Sequence, residues 1–310
     1  MLTYLARHWR GELPLGVAWW LNGVGLTALT VALDRYGSAL GLYAATDTRT
    51  GFSVFIVLGL AGFLLLPAWQ TIGIFRAADR HADQVGTILA ARLTEALTTV
   101  LTILLAIRFL VFAGEAWAGA RIAYGIGGGY TVAASHRGRV LEVSGAIVFG
   151  LAADVRRTLD ANPAVRRVRL NSGGGAFSEA LRLRALLLER DLDTDSTTGC
   201  SSACLSVYIA GRHRLLHRAA HLGFHLPRNP GFGLRGLVEP EYARELAYFG
   251  RRGVPRWFRE QWIATGRTFW YPTPVQLMEA GLVQTFFGAP PPRRGALLPV
   301  KLSAGRPTAA

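Results

Sequence analysis

The sequence contains almost no lysine. Of its 34 basic residues, Lys301 is the only lysine and the other 33 are arginines. Lys301 lies within residues 289–310, a terminal stretch rich in proline, glycine and alanine that is typical of a flexible tail. A mechanism that depends on a catalytic lysine is therefore disfavoured.

Charged residues are also few, at 17% of the 310 residues against 51% hydrophobic ones, and this balance excludes a disordered chain. Residues 1–118 carry a net charge of +1, whereas residues 119–310 carry +13. The arginines are scattered in twos and do not form one basic run with interleaved aromatic residues. We therefore expect no nucleic acid as a partner, and a surface near anionic lipid head groups explains the charge better.

Long apolar runs occupy the first part of the chain. Residues 13–33 and 51–75 contain no charge, and residues 96–114 contain only Arg108. At about 1.5 Å per residue, each run can cross a hydrocarbon core of about 30 Å, and Arg108 is close enough to one end to reach the surface. The sequence therefore predicts an all-α transmembrane domain of three helices over residues 1–118.

Arginines flank these runs unequally. Five lie on the side that holds the N-terminus and the link between the second and third runs: Arg7, Arg10, Arg76, Arg80 and Arg92. Three lie on the opposite side: Arg35, Arg49 and Arg121. Because basic residues favour the cytoplasmic side, we expect the N-terminus in the cytoplasm. Residues after about 118 then lie outside the bacterial cytoplasmic membrane, in the periplasm where a second membrane is present.

The pattern changes after the glycines of residues 119–129, which predict a linker. Residues 139–144 and 166–170 alternate like strands, and residues 148–159 and 179–188 have helical spacing. Strands that alternate with helices indicate a mainly parallel sheet, whose ligand sites lie beyond the carboxyl ends of its strands. The sequence thus predicts an α/β domain over residues 130–288.

Three segments of this domain carry candidate chemistry. A strand enters the glycine turn 171–175, a serine turn at 198–204 leads into an apolar helix, and residues 221–227 form a strand that contains His225. Each also has a structural explanation: a tight turn, a serine N-cap and a packed histidine. Together they can form a nucleophile, a base and an oxyanion hole. The glycine turn matches neither a phosphate loop nor a dinucleotide fingerprint.

The order of these motifs resembles the proteolytic subunit family of the Clp protease (ClpP), within the wider ClpP/crotonase fold. The motifs are Asn-Ser-Gly-Gly-Gly at 171–175, Cys-Ser-Ser-Ala-Cys at 200–204, Gly-Phe-His at 223–225 and Glu-Ala-Gly-Leu-Val at 279–283. The chain is most similar to membrane-bound or periplasmic ClpP-like proteins with a Cys-x-Ser-Ala-Cys motif. The resemblance covers residues 139–286.

This resemblance implies roles for individual residues. Ser202 matches the nucleophile of the family and His225 its general base, while the backbone N–H groups of Gly175 and Ala203 match the oxyanion hole. It further implies a polypeptide substrate, no cofactor or metal, and assembly into a homo-oligomer. Signal peptide peptidase A shares the broader fold, but it activates its serine with a lysine, which the composition disfavours.

Two positions depart from the family. Its catalytic aspartate should fall near Thr268 and Phe269, where the sequence has no carboxylate; Glu239, Glu241 or Glu260 could substitute, or Ser202 and His225 could act as a dyad. Gly173 also replaces the usual proline of the glycine turn, which should loosen that loop.

Cys200 and Cys204 are the only cysteines. They lie four residues apart at a predicted helix start, where either a disulfide in an oxidising compartment or two buried thiols are expected. The first function expected is therefore a membrane-anchored serine peptidase, and the alternative is a catalytically inactive ClpP-like membrane scaffold or binding protein.

Overall fold

A computed structural model describes residues 2–36, 48–85, 87–135, 138–226 and 240–289. The candidate acid Glu239, the residues of the predicted tail from 290 onward and Lys301 lie outside the described residues, and the side chain of Glu241 is not described either. Within these ranges the protein is a mixed α/β molecule with an N-terminal helical region and a C-terminal sheet domain.

In its described residues, the N-terminal region contains four α-helices and one π-helical segment. Short α1 precedes a continuous helical stretch made of the π-segment and α2, and two helices of 37 residues each follow. The bounds are α1 Leu2–Trp9, π-segment Val17–Gly25, α2 Leu26–Tyr36, α3 Arg49–Val85 and α4 Ile88–Tyr124.

The three apolar runs are helical, but their extents differ from the prediction. Helices α3 and α4 extend well beyond the second and third runs, and by length and composition both could cross a membrane. The apolar helix of the first run, Val17–Leu33, is shorter. Because no glycine or proline interrupts residues 76–85, α3 continues past its apolar part.

Helices α3 and α4 form a hairpin that packs closely along its length. The hydroxyls of Thr71 and Thr102 are 2.8 Å apart across it. Phe112 of α4 stacks on Phe63 of α3 with ring centroids 4.9 Å apart, and its ring occupies the space that a side chain at Gly59 would need. Such small-to-large packing allows two helices to approach each other.

The connection to the sheet domain is shorter than the predicted linker of residues 119–129, because α4 continues to Tyr124. Gly125 ends that helix with a left-handed conformation (φ 65°), a backbone shape that favours glycine. Only residues 125–129 therefore separate α4 from the first strand.

The sheet domain contains eight strands and six helices in its described residues. The strands are β1 Tyr130–Ser135, β2 Val140–Gly145, β3 Arg167–Asn171, β4 Asp193–Ser196, β5 Gly199–Ser201, β6 Arg214–His217, β7 His221–Gly223 and β8 Thr285–Phe287. The helices are α5 Leu151–Ala161, α6 Phe177–Glu189, α7 Ala203–Tyr208, α8 Pro240–Arg251, α9 Arg256–Ala264 and α10 Pro274–Glu279.

Six strands form one sheet in the order β1-β2-β3-β4-β6-β8, and β5 pairs with β7 in a second sheet. All pairs are parallel except β1 with β2, which are antiparallel. The predicted mainly parallel sheet with intervening helices is thus confirmed. The antiparallel edge strand β1 was not predicted, because its short segment follows directly on the glycine-rich connection.

One continuous core joins the helices to the sheet. Its apolar residues come from β2, β3, helices α5 to α7 and the aromatic C-terminal part, and its largest fully buried side chains include Tyr208, Phe224, Phe249, Phe258, Leu141, Leu170 and Leu183. Because this core surrounds α7, it holds the start of that helix and its preceding turn in a fixed position.

Candidate active site

The parallel pair β5 and β7 brings Ser202 and His225 together. Ser201 at the end of β5 is in register with Gly223 at the end of β7; Ser202 follows the first strand end directly, and His225 follows the second after one residue, Phe224. The Oγ atom of Ser202 lies 2.8 Å from Nε2 of His225, across 23 residues of sequence. This is a hydrogen bond of the length that a nucleophile and its base require.

Ser202 adopts an unusual backbone conformation at the N-terminus of α7. Its φ of 56° and ψ of −130° lie in a region that residues other than glycine rarely occupy. Its N–H donates to the carbonyl of Gly223 (3.0 Å), and its own carbonyl accepts from Leu205 N–H (2.9 Å). These bonds hold a strained turn between β5 and α7, from which the Ser202 hydroxyl reaches His225.

The glycine turn packs directly on this serine turn. Ser172 pairs with Cys200 through two backbone hydrogen bonds of 3.0 Å, in which the neighbours Gly199 and Ser201 take part. A Cβ atom on Gly174 would come within 2.8 Å of the Ser202 Cβ and within 3.1 Å of the Ala203 nitrogen. Only glycine therefore allows the two turns to make this contact.

The polar residues of the glycine turn hold its backbone in place. The side-chain oxygen of Asn171 accepts the N–H groups of Thr197 (2.9 Å) and Thr198 (3.1 Å), and Ser172 Oγ accepts the N–H of Gly174 (3.1 Å). The side chains of Asn171 and Ser172 thus stabilise the backbone of the two turns.

The two amides for which the resemblance implies an oxyanion hole lie in these adjoining turns. Gly175 follows Gly174 with a φ of 151°, and Ala203 is the first residue of α7. Neither N–H has a hydrogen-bond acceptor among the residues that the structure describes. Backbone N–H groups in this state can bind an anionic oxygen.

The tautomer of His225 follows from its second hydrogen bond. Its Nδ1 lies 2.7 Å from the carbonyl oxygen of Leu226. A carbonyl oxygen only accepts, so Nδ1 must carry the proton, and Nε2 of the neutral ring is then an acceptor for the Ser202 hydroxyl. The ring is thus oriented to take a proton from Ser202.

Aromatic residues from the α9–α10 region support His225. The ring of Phe269 packs against the imidazole with centroids 4.4 Å apart. The indole Nε1 of Trp262 donates to the His225 carbonyl (3.1 Å), and Trp262 itself is only 4% exposed. Phe269 is one of the two positions near which the resemblance described above leads us to expect an aspartate. The imidazole therefore has an apolar ring as a neighbour on this side.

Of the three carboxylates considered as substitutes for an aspartate, Glu260 lies elsewhere, and Glu239 and the side chain of Glu241 are not described. Glu260 forms an exposed ion pair with Arg256 (2.6 Å) and makes no contact with His225 in the described residues. Sequence reasoning missed the buried Glu245, which binds Ser206 of α7 (2.5 Å) and Arg184 (2.7 Å). The sequence pattern that could have revealed Glu245 is an acidic residue on the otherwise apolar face of α8. Both oxygens of Glu245 are engaged, and it fixes α7.

Cys200 and Cys204 are joined by a disulfide in the structure, with their Cα atoms 5.4 Å apart. Both side chains are fully buried. The bond links β5 to the first turn of α7 and therefore closes a small loop around Ser202. Of the two arrangements that the spacing allows, the structure has the covalent one.

The aromatic residues near the C-terminus divide into two groups. Trp262 and Trp270 pack around the buried ring of Phe224. By contrast, Phe269 and Tyr271 are stacked with centroids 5.9 Å apart, and they are 43% and 52% exposed. The exposed pair lies beside His225 and offers an apolar surface next to the candidate site.

Comparison with solved structures finds similar chains. A mutant of ClpP1 from Listeria monocytogenes matches with 16% sequence identity and a TM-score of 0.40, over 49% of this chain and 93% of that chain. No protein-family model and no curated protein matches the sequence.

Proposed function

We propose that this protein is a membrane-anchored serine peptidase of ClpP-like fold, with Ser202 as the nucleophile and His225 as the general base. The observation that carries the proposal is the 2.8 Å hydrogen bond between Ser202 Oγ and His225 Nε2, with Ser202 in a strained turn. Strain at a non-glycine residue persists where the surrounding structure enforces it, and it is common at catalytic sites.

The chemistry follows from the hydrogen bonds. His225 Nε2 takes the Ser202 proton as Oγ attacks the carbonyl carbon of a peptide bond. The charge that develops on the carbonyl oxygen is held by the N–H groups of Gly175 and Ala203. His225 then gives its proton to the departing amine, and a water molecule, activated by the same ring, cleaves the acyl-enzyme. No cofactor takes part in this scheme.

The Leu226 carbonyl takes over part of the role that a carboxylate has in a catalytic triad. It fixes the tautomer of His225, and correct tautomer choice is a major contribution of the third residue. A neutral carbonyl stabilises the imidazolium less than a carboxylate does, because it carries only a partial charge. We therefore expect a peptidase that is slower than a complete triad.

The long apolar helices and the disulfide together support a proposed location in the cell. Helices α3 and α4 span the cytoplasmic membrane, the apolar helix of residues 17–33 is a third membrane segment, and the sheet domain lies outside the cytoplasm. Arg49 at the start of α3 and Arg121 near the end of α4 are on the same side as this domain. The disulfide of Cys200 and Cys204 suits an oxidising compartment. An anchored homo-oligomer is included in the proposal.

A fluorophosphonate probe tests the activity, because it reacts covalently with an activated serine. The full-length protein in detergent or nanodiscs should be labelled, Ser202→Ala should not be labelled, and His225→Ala should be labelled much more slowly. Undiminished labelling of Ser202→Ala would contradict the assignment of the nucleophile.

A second candidate is a non-catalytic membrane scaffold, favoured by the absence of a described carboxylate behind His225. The two candidates differ in a single outcome. A folded wild-type protein that is never labelled between pH 6 and 9, and cleaves no unfolded polypeptide, would support the scaffold.

Reporter fusions test the location separately. A reporter that is active only outside the cytoplasm, fused after residue 125, should be active, and one fused after Val85 should be inactive. Activity of the cytoplasmic type after residue 125 would show the opposite orientation.

A further inference from the structure

The loop between β2 and α5, residues 146–150, touches the end of the helical hairpin. The N–H of Phe149 donates to the carbonyl of Ala123 in the last turn of α4 (3.1 Å), a carbonyl that has no partner within its own helix. The ring of Phe149 lies 6.2 Å from that of Phe52 in α3 and 6.5 Å from that of Tyr124 in α4. These three rings are called the aromatic junction.

Polar contacts hold the hairpin side of this junction. The Tyr124 hydroxyl lies 2.5 Å from Ser53 Oγ and donates to the Arg49 carbonyl (3.1 Å). The Arg49 guanidinium lies 5.1 Å from the centre of the Tyr124 ring. The end of α4 is therefore tied to the start of α3 at the point where both helices meet the loop.

The opposite side of the same loop pairs with the glycine turn. Two residues before Phe149, the N–H of Ile147 donates to the Gly174 carbonyl (2.9 Å), and the Ile147 carbonyl accepts the N–H of Ala176 (2.7 Å). Ile147 is 1% exposed. A Cβ atom on Gly175 would overlap the Ile147 carbonyl, so the position of the Gly175 backbone depends on the position of Ile147.

A continuous set of contacts thus leads from the long helices to the nucleophile. The junction fixes Phe149, the loop fixes Ile147, and Ile147 fixes the glycine turn that packs against Ser202. We propose that Phe149 is a positioning residue for the oxyanion hole, and that the end of the hairpin at this junction, formed by the start of α3 and the end of α4, is part of the assembly of the active site. This inference rests on the proposed function.

The physical basis is the precision that such a hole requires. Its donors act only when they lie about 3 Å from the developing negative charge, and a displacement of about 1 Å can reduce the rate roughly 100-fold. The turn carries no side chain at residues 173–175 that could hold it. Apart from the bond of Gly174 N–H to Ser172 Oγ, its position is therefore set by backbone partners, and among the described ones Ile147 connects the turn to the helices.

The test compares Phe149→Ala with Phe112→Ala in the full-length protein in nanodiscs. Both variants remove one phenyl ring, but Phe112 packs against Phe55 and Phe63 within the hairpin, away from the loop. For Phe149→Ala we expect a roughly 10- to 100-fold lower kcat and rate of probe labelling, with KM changed less than threefold. Phe112→Ala should leave kcat within about threefold of the wild type. If Phe149→Ala does not fold, Phe149→Leu replaces it with the same expected direction.

Amide hydrogen exchange provides a readout that does not require activity. The N–H groups of Ile147 and Ala176 should exchange at least about tenfold faster in Phe149→Ala than in the wild type, and at the wild-type rate in Phe112→Ala.

A wild-type protein that is not labelled at Ser202 would refute the proposed function, and the exchange measurement alone would then decide whether the loop holds the turn. Unchanged kcat in Phe149→Ala, or equal losses in both variants, would overturn the inference, as would unchanged exchange.

Discussion

His225 donates its Nδ1 proton to the carbonyl oxygen of Leu226, the next residue in the chain, at 2.7 Å. In this arrangement the backbone itself orients the imidazole towards Ser202. The position of the accepting Leu226 carbonyl depends on the path of the backbone after β7. The Leu226 N–H is bonded to the Gly266 carbonyl (2.7 Å), which fixes this short segment. The orientation of the base therefore depends on residues 262–270, which pack alongside it.

Trp262→Phe should weaken this support. The change removes the indole donor to the His225 carbonyl and leaves that carbonyl without its bond, which costs about 2 kcal/mol of unfolding free energy. We expect kcat to fall several-fold while KM stays nearly constant, because Trp262 is buried beneath the site and has little surface to offer a substrate. Steady-state kinetics and denaturant unfolding measure the two effects.

Trp257→Phe is the matched control, since Trp257 lies on the same helix, is 43% exposed and has no hydrogen bond among those described. It should change stability by less than about 0.5 kcal/mol. Equal losses in the two variants would mean that the indole bond has no specific role.

Gly174→Ala should damage the site through direct overlap. Its φ of 102° is unfavourable for alanine, and the new Cβ would lie 2.8 Å from that of Ser202. We expect a loss of roughly 2 kcal/mol or more in stability and a roughly 100-fold slower rate of probe labelling. Gly173→Ala, in contrast, meets no atom within 4 Å, and its unfolding midpoint should stay close to that of the wild type. A stable, fully reactive Gly174→Ala protein would show that the two turns do not need to touch.

The sequence predicted those parts of the molecule in which one local pattern determines the structure. The apolar runs located the long helices, the alternation of residues 166–170 located β3, and the motif order singled out Ser202 and His225, which the structure places in contact. Their roles as nucleophile and base remain predictions.

Other features depend on contacts between distant segments, and the sequence pattern did not reveal them. The partner of His225 Nδ1 is a backbone atom, which any residue at 226 would supply. The link from Phe149 to Ala123 joins a loop to a helix end, and neither segment carries a motif. The predicted strand over residues 221–227 ends early at Gly223, because Phe224 and Leu226 pair with the loop near Trp270 instead.

The disulfide makes a prediction about the stability of the nucleophile turn. Replacing Cys200 and Cys204 by alanine should lower the unfolding free energy by about 2 kcal/mol, as expected for closure of a loop of about five residues. Addition of a reductant should destabilise the wild type by a similar amount and leave the double variant unchanged. Unfolding curves with and without dithiothreitol measure these changes in stability. An effect of the reductant on the double variant would show that the loss of stability in the wild type does not come from this disulfide alone.

The hydrogen bond from Tyr130 to Asp154 (2.7 Å) makes a prediction at alkaline pH. Burial, together with this bond, raises the pKa of Tyr130 to about 12, against about 10 in an unfolded chain. A raised pKa in the folded state means that the bond contributes its full stability below pH 10, and that this contribution is lost as the pH rises from about 10 to 12. The difference in unfolding free energy between wild type and Tyr130→Phe should therefore shrink across this window. Other buried tyrosines, such as Tyr208, titrate in both proteins and cancel in the difference. A difference that stays constant from pH 9 to 12 would mean that the hydroxyl of Tyr130 is not buried against Asp154.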